Sequence, residues 1–229
     1  MIVKPYTDEN GLRRYPTPLG NFPSVTEILQ ATASKKERDR LRKWQQKMDQ
    51  LYGVGTATIE SNQAKQRGTE THSLLEQYLK GEIDRLPDTE FLSNSSKPIL
   101  KLLKLNTYAV ELPVWHRRGY AGTLDLYAQW DEQPTIIDFL TSRRWKRIEW
   151  VKRKFLQCTA YTIAHNWLFQ TEIQNIAVIV LSPDKCQIFE DDISTYQDEW
   201  ENRLNQFLEG KDTEPSNDRA NSNRSSSVR

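Results

Sequence analysis

Two neighbouring stretches, GTLDLYAQW (122–130) and PTIIDFL (134–140), each set one aspartate inside an otherwise apolar and β-branched run. Runs of this kind read as strands whose side chains alternate between faces, so residues 136, 138 and 140 point one way and 137 and 139 the other. Asp125 and Asp138 stand thirteen residues apart, with turn signals at DEQP between them. An antiparallel pair joined near Asp131 to Pro134 brings both carboxylates to one edge of a sheet. A buried carboxylate is costly unless it is paired or ligated. Two close ones repel, and a divalent cation is the commonest device that makes both ionised forms tolerable, hard oxygen ligands favouring Mg2+ or Mn2+.

The rest of the chain fits around this sheet. Residues 1–23 are punctuated by proline and glycine and read as loop or short extended pieces. Ser24 with Glu27 predicts a capping box at a short helix. Leu41, Trp44, Met48 and Leu51 at helical spacing predict an amphipathic helix over 35–52, and further helices are expected over 66–80, near 96–105, over 147–169 and from 193 to 210. With TYAVELPVW as a third central strand and two more after residue 173, the expected fold is α/β, a mixed central β-sheet flanked by helices with an N-terminal helical region. The expected organisation is an extended segment and helical arm over 1–65, a core over 66–210 and a disordered tail over 211–229, which has almost nothing apolar to bury.

Overall charge is uninformative, with 32 basic and 31 acidic residues, but its distribution is not. Residues 141–154 hold seven basic residues against one acid, with Trp145 and Trp150 interleaved, a pattern suited to a phosphate-binding surface. Residues 35–47 hold seven against two, which fits a solvated helix face equally well. Two isolated cysteines make neither a disulfide framework nor a zinc site and suit a reducing cytoplasm. No run approaches the roughly 18 apolar residues of a membrane span, and the N-terminus lacks a secretion signal, so a soluble cytoplasmic protein without a membrane partner is expected.

Further polar residues recur at meaningful spacing. His72 and Glu76 are four apart on one predicted helix, Gln157 and Tyr161 four apart on another, and Glu111 lies on the strand before Asp125. Singly, each has an ordinary structural explanation: a surface histidine, a solvated glutamate, polar groups meeting at the core edge. Their joint occurrence is more pointed.

Together these residues resemble the PD-(D/E)XK nuclease superfamily, and within it the RecB-like branch. FPSVTEIL resembles that branch's N-terminal segment, RGTETHSLLE its histidine helix, VELPV its first acidic strand, GTLDL its metal-binding aspartate, IIDFLTS its second acidic motif and QCTAY its closing Gln-x-x-x-Tyr. The blocks span residues 22–161 in the family's order. The resemblance implies a restriction-endonuclease-like fold and Mg2+- or Mn2+-dependent hydrolysis of DNA phosphodiesters, with single-stranded or end-bearing DNA as substrate. It implies His72, Asp125 and Asp138 as metal ligands, helped by the Phe139 carbonyl. It further implies Gln157 and Tyr161 as orienting groups, Thr141 and Ser142 as phosphate contacts, and Glu76 as a brace for His72. From the residues themselves, Arg143, Arg144, Lys146 and Arg147 offer phosphate charge and Trp145 a base-stacking plate.

One position departs from the family pattern. After the acid Asp138 and the spacer Phe139 the family has a lysine, and this chain has Leu140. Three explanations stay open: Arg143, Arg144 or Lys146 reaches back to supply the missing charge; the chain is a nuclease scaffold that binds DNA and metal without cutting; or the leucine is a substitution introduced to trap substrate. A blander alternative, an α/β interaction protein, requires that Asp125, Asp138 and His72 fail to converge.

Overall fold

A computed structural model describes residues 4–212, with side chains described for 4–210, so the expectation of a disordered tail falls outside the described residues beyond Asp212. In chain order the elements are β1 (Tyr6–Thr7), β2 (Arg13–Thr17), β3 (Gly20–Pro23), α1 (Val25–Ala31), α2 (Lys35–Tyr52), α3 (Thr56–Leu79) and α4 (Lys97–Leu105), then β4 (Thr107–His116), β5 (Tyr120–Trp130), β6 (Gln133–Thr141), α5 (Ile148–Phe169), β7 (Asn175–Leu181), β8 (Cys186–Asp192) and α6 (Gln197–Asp212).

The central sheet has five strands in the order β4-β5-β6-β7-β8. It is antiparallel except for β6 and β7, which run parallel because α5 crosses over between them. Helices therefore cover both faces, and the two middle strands are apolar on both sides. Ile136, Val178 and Val180 join α1, α5 and α6 in one buried layer, while Ile137, Phe139, Ala177 and Ile179 join α3 and α4 in the other. The α/β class and the flanking helices are as the sequence predicts.

The β5–β6 hairpin turns on Asp131 and Glu132, both with positive φ (47° and 61°), between the paired residues Trp130 and Gln133. This two-residue geometry matches the right-handed twist of the strands it joins. It fixes the register that places Asp125 beside the backbone of Phe139.

Three differences from the sequence expectation have local causes. Residues 6–23 are more ordered than loop, forming a three-stranded antiparallel sheet whose Tyr15 packs with Trp115 and Ala121 of the central sheet. The box at Ser24 is half made: its hydroxyl accepts from the Glu27 N–H, but the Glu27 carboxylate goes to Arg14 (2.7 Å), and the complete capping box is at Ser34 and Glu37. Helix α3 begins at Thr56 rather than 66, because the Asp49 carboxylate caps the Ala57 N–H (3.0 Å) and residues 56–65 follow α2 as a hairpin rather than the core. For the same reason the apolar stripe of α2 is not buried: Leu41 and Leu51 are exposed, and Trp44 and Met48 are half-buried. A buried Arg203 on α6 ties this arm to the body through Glu37 (2.9 Å) while also pairing with Glu199 (2.8 Å).

Candidate metal centre

Strands β4 and β5 change faces part-way along. Leu124 and Leu126 are two residues apart and should share a face, yet Leu124 lies in the α1–α5–α6 layer and Leu126 in the α3–α4 layer. The break falls between the pairs Val110–Leu126 and Leu112–Leu124, where Glu111 takes a left-handed backbone conformation (φ 50°) that is uncommon for any residue but glycine. Glu111 and Asp125 thus sit opposite one another at the kink. Pairing of β5 with β6 begins at Leu126–Ile137, and beyond it the Asp125 Oδ2 accepts the Phe139 N–H (3.0 Å), standing in for a strand carbonyl.

Helix α3 crosses this point and lowers His72 onto it. The ring lies edge-on to Phe139, with Nδ1 3.4 Å from Asp125 Oδ2 and Nε2 3.1 Å from the Phe139 carbonyl oxygen. A neutral imidazole donates to only one of these oxygens and aims a lone pair at the other. A cation bound at that nitrogen removes the conflict. His72, Glu111 and Asp125 present ligand atoms all within 4.8 Å of one another.

Asp138 is adjacent and almost wholly buried, its side chain 3% exposed. Among the described residues its Oδ1 has no partner, and neither oxygen receives a well-directed hydrogen bond; the close cation is the Lys154 ammonium, 2.7 Å from Oδ2. Burial pushes the Asp138 carboxyl up, Lys154 pulls it back and Asp125 pushes it further up. Burial also works against the Lys154 charge, but the carboxylates of Asp138 and Asp125 outweigh it and the ammonium titrates above the ordinary lysine range. Lys154 lies within the basic stretch 141–154 but was not singled out by sequence; its signal was a helical position one turn before Gln157.

Of the cations expected to replace a lysine at position 140, Arg143 is engaged elsewhere. Arg143 pairs with Glu90, its Nη2 3.0 Å from Oε2. The backbone of Lys146 is clamped by the Gln187 amide, which accepts from its N–H and donates to its carbonyl, both at 2.9 Å. No ion pair of Arg143, Arg144 or Lys146 with Asp138 is present among the described residues. Leu140 shares the Asp138 face as the alternation requires and packs against the α5 layer.

The remaining residues are distributed as follows. Gln157 Nε2 donates to the Tyr161 hydroxyl (2.9 Å), both residues being buried on α5. The Tyr161 ring lies over Gly122 of β5. Glu76 meets Lys80 (2.5 Å) and not the His72 ring, because Glu followed four residues later by Lys is a favourable helical pair. The Ser142 hydroxyl donates to the Arg144 carbonyl (2.7 Å) and accepts from its N–H (3.2 Å), closing the turn after β6, and Thr141 lies beside Gly68 of α3. Trp145 is 60% exposed with the Lys185 ammonium 5.4 Å from its ring centre. A cavity of about 550 Å³ opens beside Glu111, walled by Lys4, Tyr6, Arg13, Glu76 and Lys80.

Glu111 carries a pH signature. Burial, then the charge of Asp125 and that of Glu76, raise its carboxyl from 4.5 to about 7. The folded state therefore holds a proton that the unfolded chain releases, so this group withdraws stability from the metal-free protein as pH rises from about 4.5 to 7 and has no further effect above that. A divalent ion drawing on Glu111 must displace that proton. Affinity for Mn2+ is expected to fall by up to about tenfold per pH unit below pH 7 and to level off above it. Calorimetric titrations from pH 5.5 to 8 check this, and the Glu111→Gln variant should have a shallower slope between about pH 6 and 7, with the Asp138 carboxyl, raised to about 6, still contributing below that.

No protein-family model matches the chain. Mitochondrial genome maintenance exonuclease 1 of Homo sapiens is 27% identical over 205 residues, covering 83% of this chain and 59% of the relative. The chain thus spans about three-fifths of the length of the curated relative it matches. The crystal structure of SSO0001 aligns with 82% of this chain and 85% of that one at 14% identity and a TM-score of 0.42, a likeness from which nothing is carried across. No helix among the described residues is long and apolar enough to cross a membrane.

Proposed function

We propose that the chain is a metal-dependent DNA nuclease, an exonuclease that hydrolyses phosphodiester bonds of single-stranded or end-bearing DNA using Mg2+ or Mn2+. The observation that carries this reading is the convergence of His72, Glu111 and Asp125 within 4.8 Å beside an Asp138 whose Oδ1 has no partner. Acids buried this way, at a strand kink, cost stability that an apolar strand would not, and a cation makes the arrangement favourable. A curated relative named as an exonuclease points the same way.

His72, Glu111 and Asp125 are the residues that would hold the ion, with the unpartnered oxygen of Asp138 beside them. A divalent ion held there would polarise the scissile phosphate and acidify a water. In the reaction a water oxygen forms a bond to phosphorus, the ester P–O bond breaks, and the water's proton ends on the departing oxygen or in solvent. Lys4 and Arg13 offer the DNA backbone two cations at the neighbouring cavity, where Lys80 is already paired with Glu76, and Trp145 with Lys185 offers a stacking surface at the exit of β6.

Incubation with an end-labelled single-stranded oligonucleotide tests the reading: cleavage with Mg2+ or Mn2+ and none with chelator is expected. Binding should weaken by a decade or more across a moderate salt rise if several phosphates are engaged. A second reading, a scaffold that binds DNA and metal without cutting, is favoured by Leu140 standing where the family has lysine. Retained binding with no cleavage above the chelator control would establish it instead.

A further inference from the structure

The structure assigns to Lys154, on helix α5, the electrostatic role that a lysine at position 140 would play from strand β6; this rests on the nuclease reading above. Its Nζ stands 2.7 Å from Asp138 Oδ2, and the side chain is 27% exposed against 3% for Asp138, so the ammonium reaches from the solvent-facing side down onto the buried acid. Leu140 fills the strand position with hydrocarbon and packs into the same layer from which Lys154 arrives. Helix spacing puts Lys154, Gln157 and Tyr161 at i, i+3 and i+7, a single stripe, and Gln157 and Tyr161 are already joined by a hydrogen bond. The stripe therefore carries one cation and two polar groups toward the acids of β5 and β6.

A structural ion pair alone explains this poorly. Replacing a buried pair by apolar residues is often neutral or stabilising, so the fold does not require a charge at either position. The pair also leaves Asp138 Oδ1 without a donor, which an arrangement serving stability would satisfy. An ammonium that holds one oxygen of Asp138 while leaving the other free for an ion is placed to offset charge growing on a phosphate at that ion. We infer that the lysine function moved from strand to helix, sixteen residues along from Asp138, without leaving the site.

The test compares the full chain with Lys154→Met, Leu140→Lys and the double variant Leu140→Lys/Lys154→Met. Cleavage of an end-labelled single-stranded oligonucleotide at saturating Mn2+ is read together with Mn2+ affinity by calorimetry and folding by circular dichroism. Lys154→Met is expected to cut at least about a hundredfold more slowly. Its Mn2+ affinity should be unchanged or higher, because a cation competing for Asp138 is gone. The double variant, with an ammonium restored from the strand, should recover at least about tenfold of the lost rate.

A folded Lys154→Met that cuts within about threefold of the parent overturns the assignment. So does a fall of more than about tenfold in its Mn2+ affinity, which marks Lys154 as a brace for the metal ligands. If Lys154→Met does not fold, the double variant decides: a folded double variant that cuts within about threefold of Leu140→Lys supports the assignment, and one with less than about a tenth of the Leu140→Lys rate overturns it. A parent chain that binds Mn2+ but cuts no DNA overturns the nuclease reading and the assignment with it, an outcome distinct from loss of the assignment alone.

Discussion

Asp125→Asn is expected to abolish metal-dependent cleavage, lowering the rate by about a hundredfold to a thousandfold or more, while leaving the fold intact. Asparagine keeps an oxygen that can accept the Phe139 N–H now bound at 3.0 Å, so the splayed end of the β5–β6 pair stays anchored. What disappears is one negative charge from the group that would hold the cation, and losses of this size follow removal of a preorganised electrostatic group. The same change relieves the metal-free protein. Asp125 pushes up the carboxyls of both Glu111 and Asp138, so neutralising it should leave the metal-free melting temperature unchanged or higher. Scanning calorimetry with and without Mn2+ separates the effects: the parent should gain stability on adding metal, and the variant should gain little. A variant that keeps both the metal-induced shift and the cleavage would remove Asp125 from the site.

Gly122→Ala should be the most damaging small substitution in the sheet. A Cβ at Gly122 would lie 2.3 Å from Tyr161 Cε1 and 2.9 Å from both Cζ and the hydroxyl oxygen. Tyr161 is 4% exposed, with its hydroxyl held by Gln157, so the ring has nowhere to retreat. Overpacking of this kind costs about 1–3 kcal/mol and often more. For a chain of this length that lowers the melting temperature by about 3–10 °C. Gly68→Ala is the matched control: its Cβ would meet Thr141 Oγ1 at 3.6 Å, an ordinary contact, inside α3. Exchanging glycine for alanine in a helix interior is favourable by up to about 1 kcal/mol, so this variant should melt higher. Thermal melts of the two variants should therefore move in opposite directions.

The two glycines also show what kind of information a sequence holds. Each belongs to a short motif, RGTETH or GTLDL, and nothing in either motif distinguishes them. One is required because Tyr161, downstream in another element, rests on it, and the other is a helical position that tolerates a side chain. Local pattern cannot separate the cases, because the deciding atom is brought in by the crossover.

Apolar, β-branched runs between turn signals are enough to place β4, β5 and β6, and alternation along β6 puts Leu140 on the Asp138 face, where it lies, although along β4 and β5 the alternation breaks at the kink. Turn chemistry at Asp131 and Glu132 fixes the hairpin that aligns Asp125 with Phe139, and a carboxylate in each apolar strand marks the candidate site. These are properties of neighbouring residues, and neighbouring residues are what sequence records. Two features of the site are not of that kind. Glu111 joins His72 and Asp125 because the backbone turns left-handed at the kink, a conformation selected by packing on both sides of the sheet rather than by the preference of glutamate. Lys154 meets Asp138 because α5, crossing from β6 to β7, lays its face over the strand end, a distance fixed by helix length and layer packing. Two acids on neighbouring strands of a mixed sheet are written in local pattern; the cation beside them, Lys154, is set by where α5 lands, a matter of helix length and layer packing that no neighbouring residue records.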